Sequence, residues 1–242
     1  MKKVFLIIFL LIVNISFADD IKIITKEIKD SSVALKYNIS AVYPQLDGMS
    51  DKQIQENVNK IIFAAVDKSF KDYKNDLKDW DRTEIPLDVN SYLEIYFESY
   101  LLNDNVYSFA YEVDTYYAGA AHPNSYTISM NFDLKTGKPI VFNDLFNNKT
   151  KYLDKISSYC KEDLKLQAKY NGYEFDEDML NDGAGPKDSN FFNFNFLQRG
   201  MQITFDTYTI APYVFGTHCV LISYRTLFDI MNEEGILTKF NY

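Results

Sequence analysis

The sequence predicts an α+β fold: an antiparallel β-sheet packed against two main helices, with an N-terminal hairpin-helix unit in front. Three observations carry that expectation. Runs of alternating apolar and polar residues recur, as in Val33–Tyr43 and Ser125–Leu134, and a period of two marks a half-buried strand. Two longer stretches, about Ser50–Lys78 and Lys149–Lys169, carry apolar residues at helical spacing. The elements come in the order strand, helix, sheet, helix, sheet, with no internal repeat.

The first residues bear on the compartment. Lys2 and Lys3 precede ten uninterrupted apolar residues, Val4–Val13, and Ser16-Phe17-Ala18 gives a small-x-small cleavage signature. This is the layout of a secretory signal, and the apolar run falls short of the roughly 20 residues of a spanning helix. Residues 1–18 are therefore expected to be a signal peptide. The mature chain is expected to be periplasmic or secreted, with no membrane insertion after cleavage. Losing Lys2 and Lys3 takes the formal charge from -9 to -11. An acidic balance argues against nucleic acid and anionic membranes as partners and suits a basic one.

Ile21–Ile28 and the alternating run Val33–Tyr43 should form a hairpin around Lys29–Ser32, with Pro44 ending the second strand. Ser50, with Gln53 three residues on, reads as the cap of the first helix. Two aromatic runs, Tyr92–Leu102 and Val106–Tyr117, flank the turn Asn103-Asp104-Asn105. The stretch the rest is organised around, Tyr116–Phe146, follows: a small-residue loop ending in His122-Pro123, the strand Ser125–Leu134, a Gly137 reversal, and Asn143-Asp144 opening a helical pattern. The second helix carries Leu153, Ile156, Cys160, Leu164 and Ala168 on one face. Residues 171–190 read as a long loop. Strands near Phe191–Phe196, Met201–Thr207 and Cys219–Tyr224 and a short helix near Thr226–Asn232 close the chain. A domain boundary is expected after Leu102, giving units at 19–102 and 103–242.

Cys160 lies on the apolar face of the second helix and Cys219 begins a predicted strand. If that helix covers that strand, the two thiols can meet as a disulfide; if not, both are buried thiols. The two histidines, His122 and His218, each follow a glycine in a loop, and no HExxH or comparable spacing links them. They read as hydrogen-bonded loop histidines, and no metal site is expected. Asp176–Gly183 lacks the ligand spacing of a calcium loop and reads as a solvated acidic stretch. There is no Gly-x-Ser-x-Gly elbow, no P-loop and no Gly-x-Gly-x-x-Gly, so no cofactor and no catalytic residue is assigned. Paired carboxylates for glycoside cleavage have a separation that a sequence does not show. Tyr116, Tyr117, Pro212 and Tyr213 flank the two glycine loops. If those loops lie together, these residues and the two histidines form an aromatic binding surface; the alternative is core packing.

The loop YYAGAAHP with SYTISMNFDLKTGKPIVFNDLF, and the closing GMQITFDTYTIAPYVFGTHCVLISYRTLFDIM, resemble the exported domain of anti-sigma-V factors. Related modules accompany some exported peptidoglycan deacetylases, outside the catalytic domain. The segment from about Asp19 to Leu102 resembles the unit that precedes that domain. The resemblance implies a non-catalytic α+β binding module, with a basic protein such as lysozyme as its partner. The alternative it leaves is a peptidoglycan-binding accessory module, or, further off, a cell-wall hydrolase or deacetylase. The cytoplasmic sigma-binding segment of the anti-sigma factors has no counterpart in this sequence, so signal transmission is not carried over.

Overall fold

The computed structural model describes residues 21–80, 89–147 and 151–240; the expected signal peptide lies outside them. Two β-sheets, each backed by a helix, meet along a polar seam. The larger sheet has six strands in sequence order: β1 (Lys22–Ser32), β2 (Tyr37–Asp47), β3 (Ser91–Leu102), β4 (Val106–Tyr116), β5 (Asn124–Asp133) and β6 (Lys138–Pro139). All neighbours are antiparallel except β2 and β3, which run parallel across α1 (Lys52–Asp79). The smaller sheet is the meander β7 (Phe194–Phe196), β8 (Gly200–Phe205) and β9 (His218–Ser223), covered by α2 (Tyr152–Asn171). The α+β class is as predicted, with two sheets where one was expected. The boundary expected after Leu102 falls in the turn of the β3–β4 hairpin.

Val58, Ile62, Val66, Phe70, Tyr73 and Leu77 recur at helical spacing along α1 and are buried against the larger sheet. Asp51, not Ser50, caps this helix: its carboxylate accepts from Ile54 N at 3.0 Å. Period two sorts every central strand. Leu93 and Ile95, Tyr107 to Val113 at alternate positions, and Tyr126 to Leu134 at alternate positions all face α1. The buried Tyr111 hydroxyl donates to Ile62 O at 3.2 Å, tying the sheet to the helix backbone.

The first hairpin turns later than expected. Its turn is Val33–Lys36, with Val33 96% and Leu35 53% exposed, so the alternation that matters starts at Tyr37. Pro44 does not end β2; it pairs with Thr25 beyond Ala41, the last residue of β2 that pairs with β3. On that side there is no ladder for its missing N–H to break. The acidic stretch expected to be loop contains α3 (Glu177–Gly183), capped by Asp176, whose carboxylate accepts from Met179 N at 2.9 Å. Its carboxylates sit at the helix start, where the backbone dipole favours them. A short helix α4 (Tyr224–Leu227) follows β9.

The disulfide is not formed: Cys160 and Cys219 are both free thiols. Helix α2 does cover the smaller sheet, with Cys160 buried among Ile203, Val220 and Ile222. Alternation along β9 sends Val220 and Ile222 towards α2 and Cys219 to the opposite face. Among the described residues no helix is long and apolar enough to cross a membrane.

The two sheets join where β5 would otherwise present an open edge. Strand β6 pairs only with Phe132 and Asp133, so the rest of that edge needs other partners. Asn193 accepts from Ser129 N and donates to Thr127 O, both at 3.0 Å, and Asp206 accepts from Thr127 N at 3.0 Å. Deeper in, the fully buried Asn195 donates to Phe109 O at 2.8 Å and accepts from Ser129 Oγ at 2.8 Å. Asn131 donates to Phe194 O at 2.8 Å.

Candidate functional site

The face of the larger sheet turned away from α1 is covered by the seam at one end and open at the other. At the open end β3 presents Tyr92, Glu94, Tyr96 and Glu98, and β4 presents Glu112, Asp114 and Tyr116. The register sets Tyr92 opposite Tyr116, Glu94 opposite Asp114, and Tyr96 opposite Glu112. A β-bulge between Ser99 and Leu101 leaves Tyr100 unpaired and lets it line the same face. Like charges set directly opposite across a ladder oppose folding, yet Glu94 and Asp114 are so placed. Tyr96 Oη donates to Glu94 at 3.1 Å and Ser125 Oγ donates to Asp114. None of the Lys–carboxylate pairs among the described residues involves Glu94, Glu98, Glu112 or Asp114.

Three tyrosines of this face, Tyr92, Tyr96 and Tyr100, are held in their protonated, donating form. A hydrogen bond to Glu94, with burial, pushes the Tyr96 phenol up. Burial and the nearby Asp114 and Glu94 raise Tyr92. Burial, then Glu98, pushes Tyr100 up to about 12. Between this face and the smaller sheet lies a cleft of about 220 Å³, bounded by Tyr96, Glu98, Tyr100 and Glu112 on one side and Thr204, Thr217 and Cys219 on the other. Ala110, directly opposite Glu98, keeps its floor open.

The two glycine loops do come together at the end of this face. The exposed His122 ring stacks on Tyr213 with centroids 4.1 Å apart, and its Nε2 lies 3.3 Å from Tyr208 Oη. Tyr208 in turn packs on Tyr213 at 5.6 Å. Tyr92 stacks on Tyr116 at 5.7 Å, and Tyr213 is close enough to Tyr92 to contribute to its raised pKa. The ledge therefore comprises Tyr92, Tyr116, His122, Tyr208 and Tyr213. Pro212 is exposed and opens the 3-10 turn Tyr213–Phe215 that carries Tyr213. Tyr208 has φ +66, a left-handed conformation that bulky residues rarely adopt. Gly183 lets α3 reach this loop, since a Cβ there would fall 2.0 Å from Thr209 O.

Two predicted site residues sit elsewhere. Tyr117 points to the α1 side, with Tyr73 and Trp80 at 5.0 and 5.1 Å and its hydroxyl on Asp76 at 2.9 Å. Consecutive strand residues face opposite ways, so Tyr116 and Tyr117 do not share a surface. His218 is buried, 7% exposed, and its Nε2 lies 2.7 Å from Tyr173 Oη. Gly172, left-handed at φ +78, ends α2 and swings Tyr173 and Phe175 over that ring. Burial lowers the His218 pKa. Its place is at the root of the Tyr213 loop, not on the ledge. Asp206, at the other root, is raised by burial.

The sequence reading missed Tyr92, Glu94, Tyr96, Glu98, Tyr100, Glu112 and Asp114. Their signal was present as tyrosine and glutamate alternating at every second position from Tyr92 to Tyr100. Among the described residues no group of three or more His, Cys, Asp or Glu side chains is arranged to hold a metal ion.

Comparison with known proteins divides the chain in two. Residues 28–125 match the family described as "Deacetylase PdaC", and residues 143–225 match "Protein of unknown function (DUF3298)". Over 120 residues the chain is 29% identical to peptidoglycan-N-acetylmuramic acid deacetylase PdaC of Bacillus subtilis, which is 50% of this chain and 25% of that protein. The chain thus spans a quarter of that relative's length. Two crystal structures share the fold at a TM-score of 0.62: a DUF3298-family protein of Bacteroides fragilis, 16% identical, covering 90% of this chain and 96% of that one, and another of Pseudomonas aeruginosa, 13% identical, covering 89% and 96%. The chain is related, in consecutive parts, to the PdaC-associated and DUF3298 domains, and it has the α+β fold of the solved DUF3298-family proteins.

Proposed function

We propose that this chain is an exported, non-catalytic binding module of the cell envelope that engages the glycan of peptidoglycan through the open face of its larger sheet. The observation that carries the proposal is the face itself. Tyrosine rings at Tyr92, Tyr96 and Tyr116 alternate with carboxylates at Glu94, Glu112 and Asp114, and the ledge of His122, Tyr208 and Tyr213 extends it. Aromatic rings offer flat apolar surface to a sugar ring, and adjacent carboxylates accept its hydroxyls. The relation to a protein named as a peptidoglycan deacetylase supports the same compartment and polymer. The predicted signal peptide supports export.

A second reading rests on charge. Four carboxylates on one face, on a chain of formal charge -9 with its N-terminal lysines included, suit a basic protein such as a lysozyme-type hydrolase. Calorimetric titration of the chain with soluble peptidoglycan fragments and with lysozyme, at low and moderate salt, separates the two. Glycan stacking should persist with salt, whereas lysozyme binding should fade. Tyr96→Ala and Tyr213→Ala are each expected to weaken glycan binding roughly tenfold. Wild-type affinity in both folded variants would refute the stacking surface.

A further inference from the structure

We infer that the cleft between the two sheets selects an amino sugar whose amine is free, in preference to its N-acetylated form. This rests on the glycan reading above and adds the chemistry of the sugar. The cleft holds about 220 Å³, below the usual range of a drug-sized pocket and suited to one ring rather than several. It opens beside the half-exposed Tyr96 ring, so a sugar stacked on Tyr96 can direct one substituent inward.

What that substituent meets is set by the lining. Glu98 and Glu112 bring carboxylates; Ser125, Thr204 and Thr217 bring hydroxyls; among the described residues no lysine or arginine lines the cleft. A carboxylate only accepts hydrogen bonds. An acetamido group offers it one N–H together with a carbonyl oxygen that it repels. An ammonium offers three donors and a full positive charge. Glu98 and Glu112 lie in none of the Lys–carboxylate pairs among the described residues. Asp114 stands two residues from Glu112 along the same ladder, opposite Glu94. Glu98 and Glu112 in the cleft attract an ammonium where its walls limit screening, and Glu94 and Asp114 outside it add to the negative field. The small sheet closes the far side with the buried Thr204 and with Cys219, whose sulfur lies 3.7 Å from Thr204 Oγ1. A free sugar amine in a wall polymer arises by hydrolytic N-deacetylation, so this module would recognise the product of that class of reaction.

The test is calorimetric titration of the purified chain, at about pH 6 so that a sugar amine carries its proton, with short oligomers of glucosamine, of N-acetylglucosamine and of lysine. The glucosamine oligomer is expected to bind at least roughly tenfold more tightly than the N-acetylated one. It is also expected to bind more tightly than the lysine oligomer, which has the charges without the rings. The preference should vanish in the Glu98→Gln, Glu112→Gln double variant, whose side chains keep their size and whose thermal midpoint should match the parent. Equal or tighter binding of N-acetylglucosamine would overturn the inference and leave the glycan reading standing. Equal binding of the lysine oligomer would overturn it in favour of a general cation-attracting surface. Binding of neither sugar would overturn both.

Discussion

On the α1 side of the larger sheet, Leu93, Ile95, Phe109 and Val113 are 1% exposed or less. One residue along the same strands, Glu94, Tyr96, Glu112 and Asp114 face outward, with like charges opposed and no lysine pairing among the described residues. The strands are the same and the backbone ladder is shared; only the parity of the residue differs. The inner face is built of groups whose burial favours the fold: apolar side chains, ring contacts, a tyrosine hydroxyl satisfied by the helix. One pairing on the outer face, Glu94 against Asp114, does the opposite. Local conflict of this kind is tolerated where the rest of the element supplies stability, and it marks a surface shaped by something other than folding.

The largest expected effect tests the inner face. Phe109 is fully buried, with Tyr107 at 5.0 Å, Tyr111 at 5.2 Å and Phe97 at 6.5 Å. Phe109→Ala should destabilise the chain by about 3–5 kcal/mol, read as a shift in the denaturant midpoint without a change of slope. An outer-face truncation such as Tyr96→Ala should cost well under about 1 kcal/mol in the same assay. Similar losses from the two would dissolve the distinction between the faces.

The seam is intermediate, since there the outer face is covered by polar contacts in place of apolar ones. Asn195→Ala removes the donor to Phe109 O and the acceptor for Ser129 Oγ in a fully buried place. Leaving those groups unpaired should cost about 2–3 kcal/mol. Chemical denaturation would show it, and hydrogen exchange should locate the added opening at Thr127 and Ser129 on β5. Loss of stability with unchanged β5 protection would mean that the two sheets are not held by this network.

How far the sequence reached follows the same division. Period-two and aromatic runs place β3 to β5 nearly residue by residue, whereas β2 begins and ends four residues later than its alternation suggests, and helical stripes place α1 and α2. Failures came where the governing contact is not periodic. Asn193 and Asn195 reach β5 and β4 across 64 and 86 residues of chain, and nothing local in the sequence points to those partners. Tyr117 stands one residue away from the face expected of it, and the same parity settles the open question of Cys219 by turning it away from α2. The alternation from Tyr92 to Tyr100 is equally readable, but an aromatic run by itself is as consistent with a core strand as with an open face. The meeting of the two glycine loops, by contrast, was foreseen as a condition and is met by the His122–Tyr213 stack.

The smallest effect concerns how firmly the ledge is held. The loop bearing Tyr208 and Tyr213 is rooted at Asp206 and at His218, both withdrawn from water. Burial depresses the His218 pKa below its ordinary 6.5, so the unfolded chain takes up that proton more readily than the folded one. The contribution to stability is fully present above 6.5 and is lost as pH falls through 6.5 towards the folded-state value. Asp206 is raised, so it acts in the other direction: its contribution is present at low pH and is lost as pH rises from 3.8 through its folded-state value. Between about pH 7.5 and pH 5.5 the histidine should lower stability as the pH falls, with a slope of at most about 1.4 kcal/mol per pH unit. His218→Gln keeps a polar group towards the Tyr173 hydroxyl and removes the titration. Its thermal midpoint should change less between those two pH values than that of the parent chain. An equal change in both would place the acid sensitivity elsewhere, and would leave the outer ledge resting on packing alone.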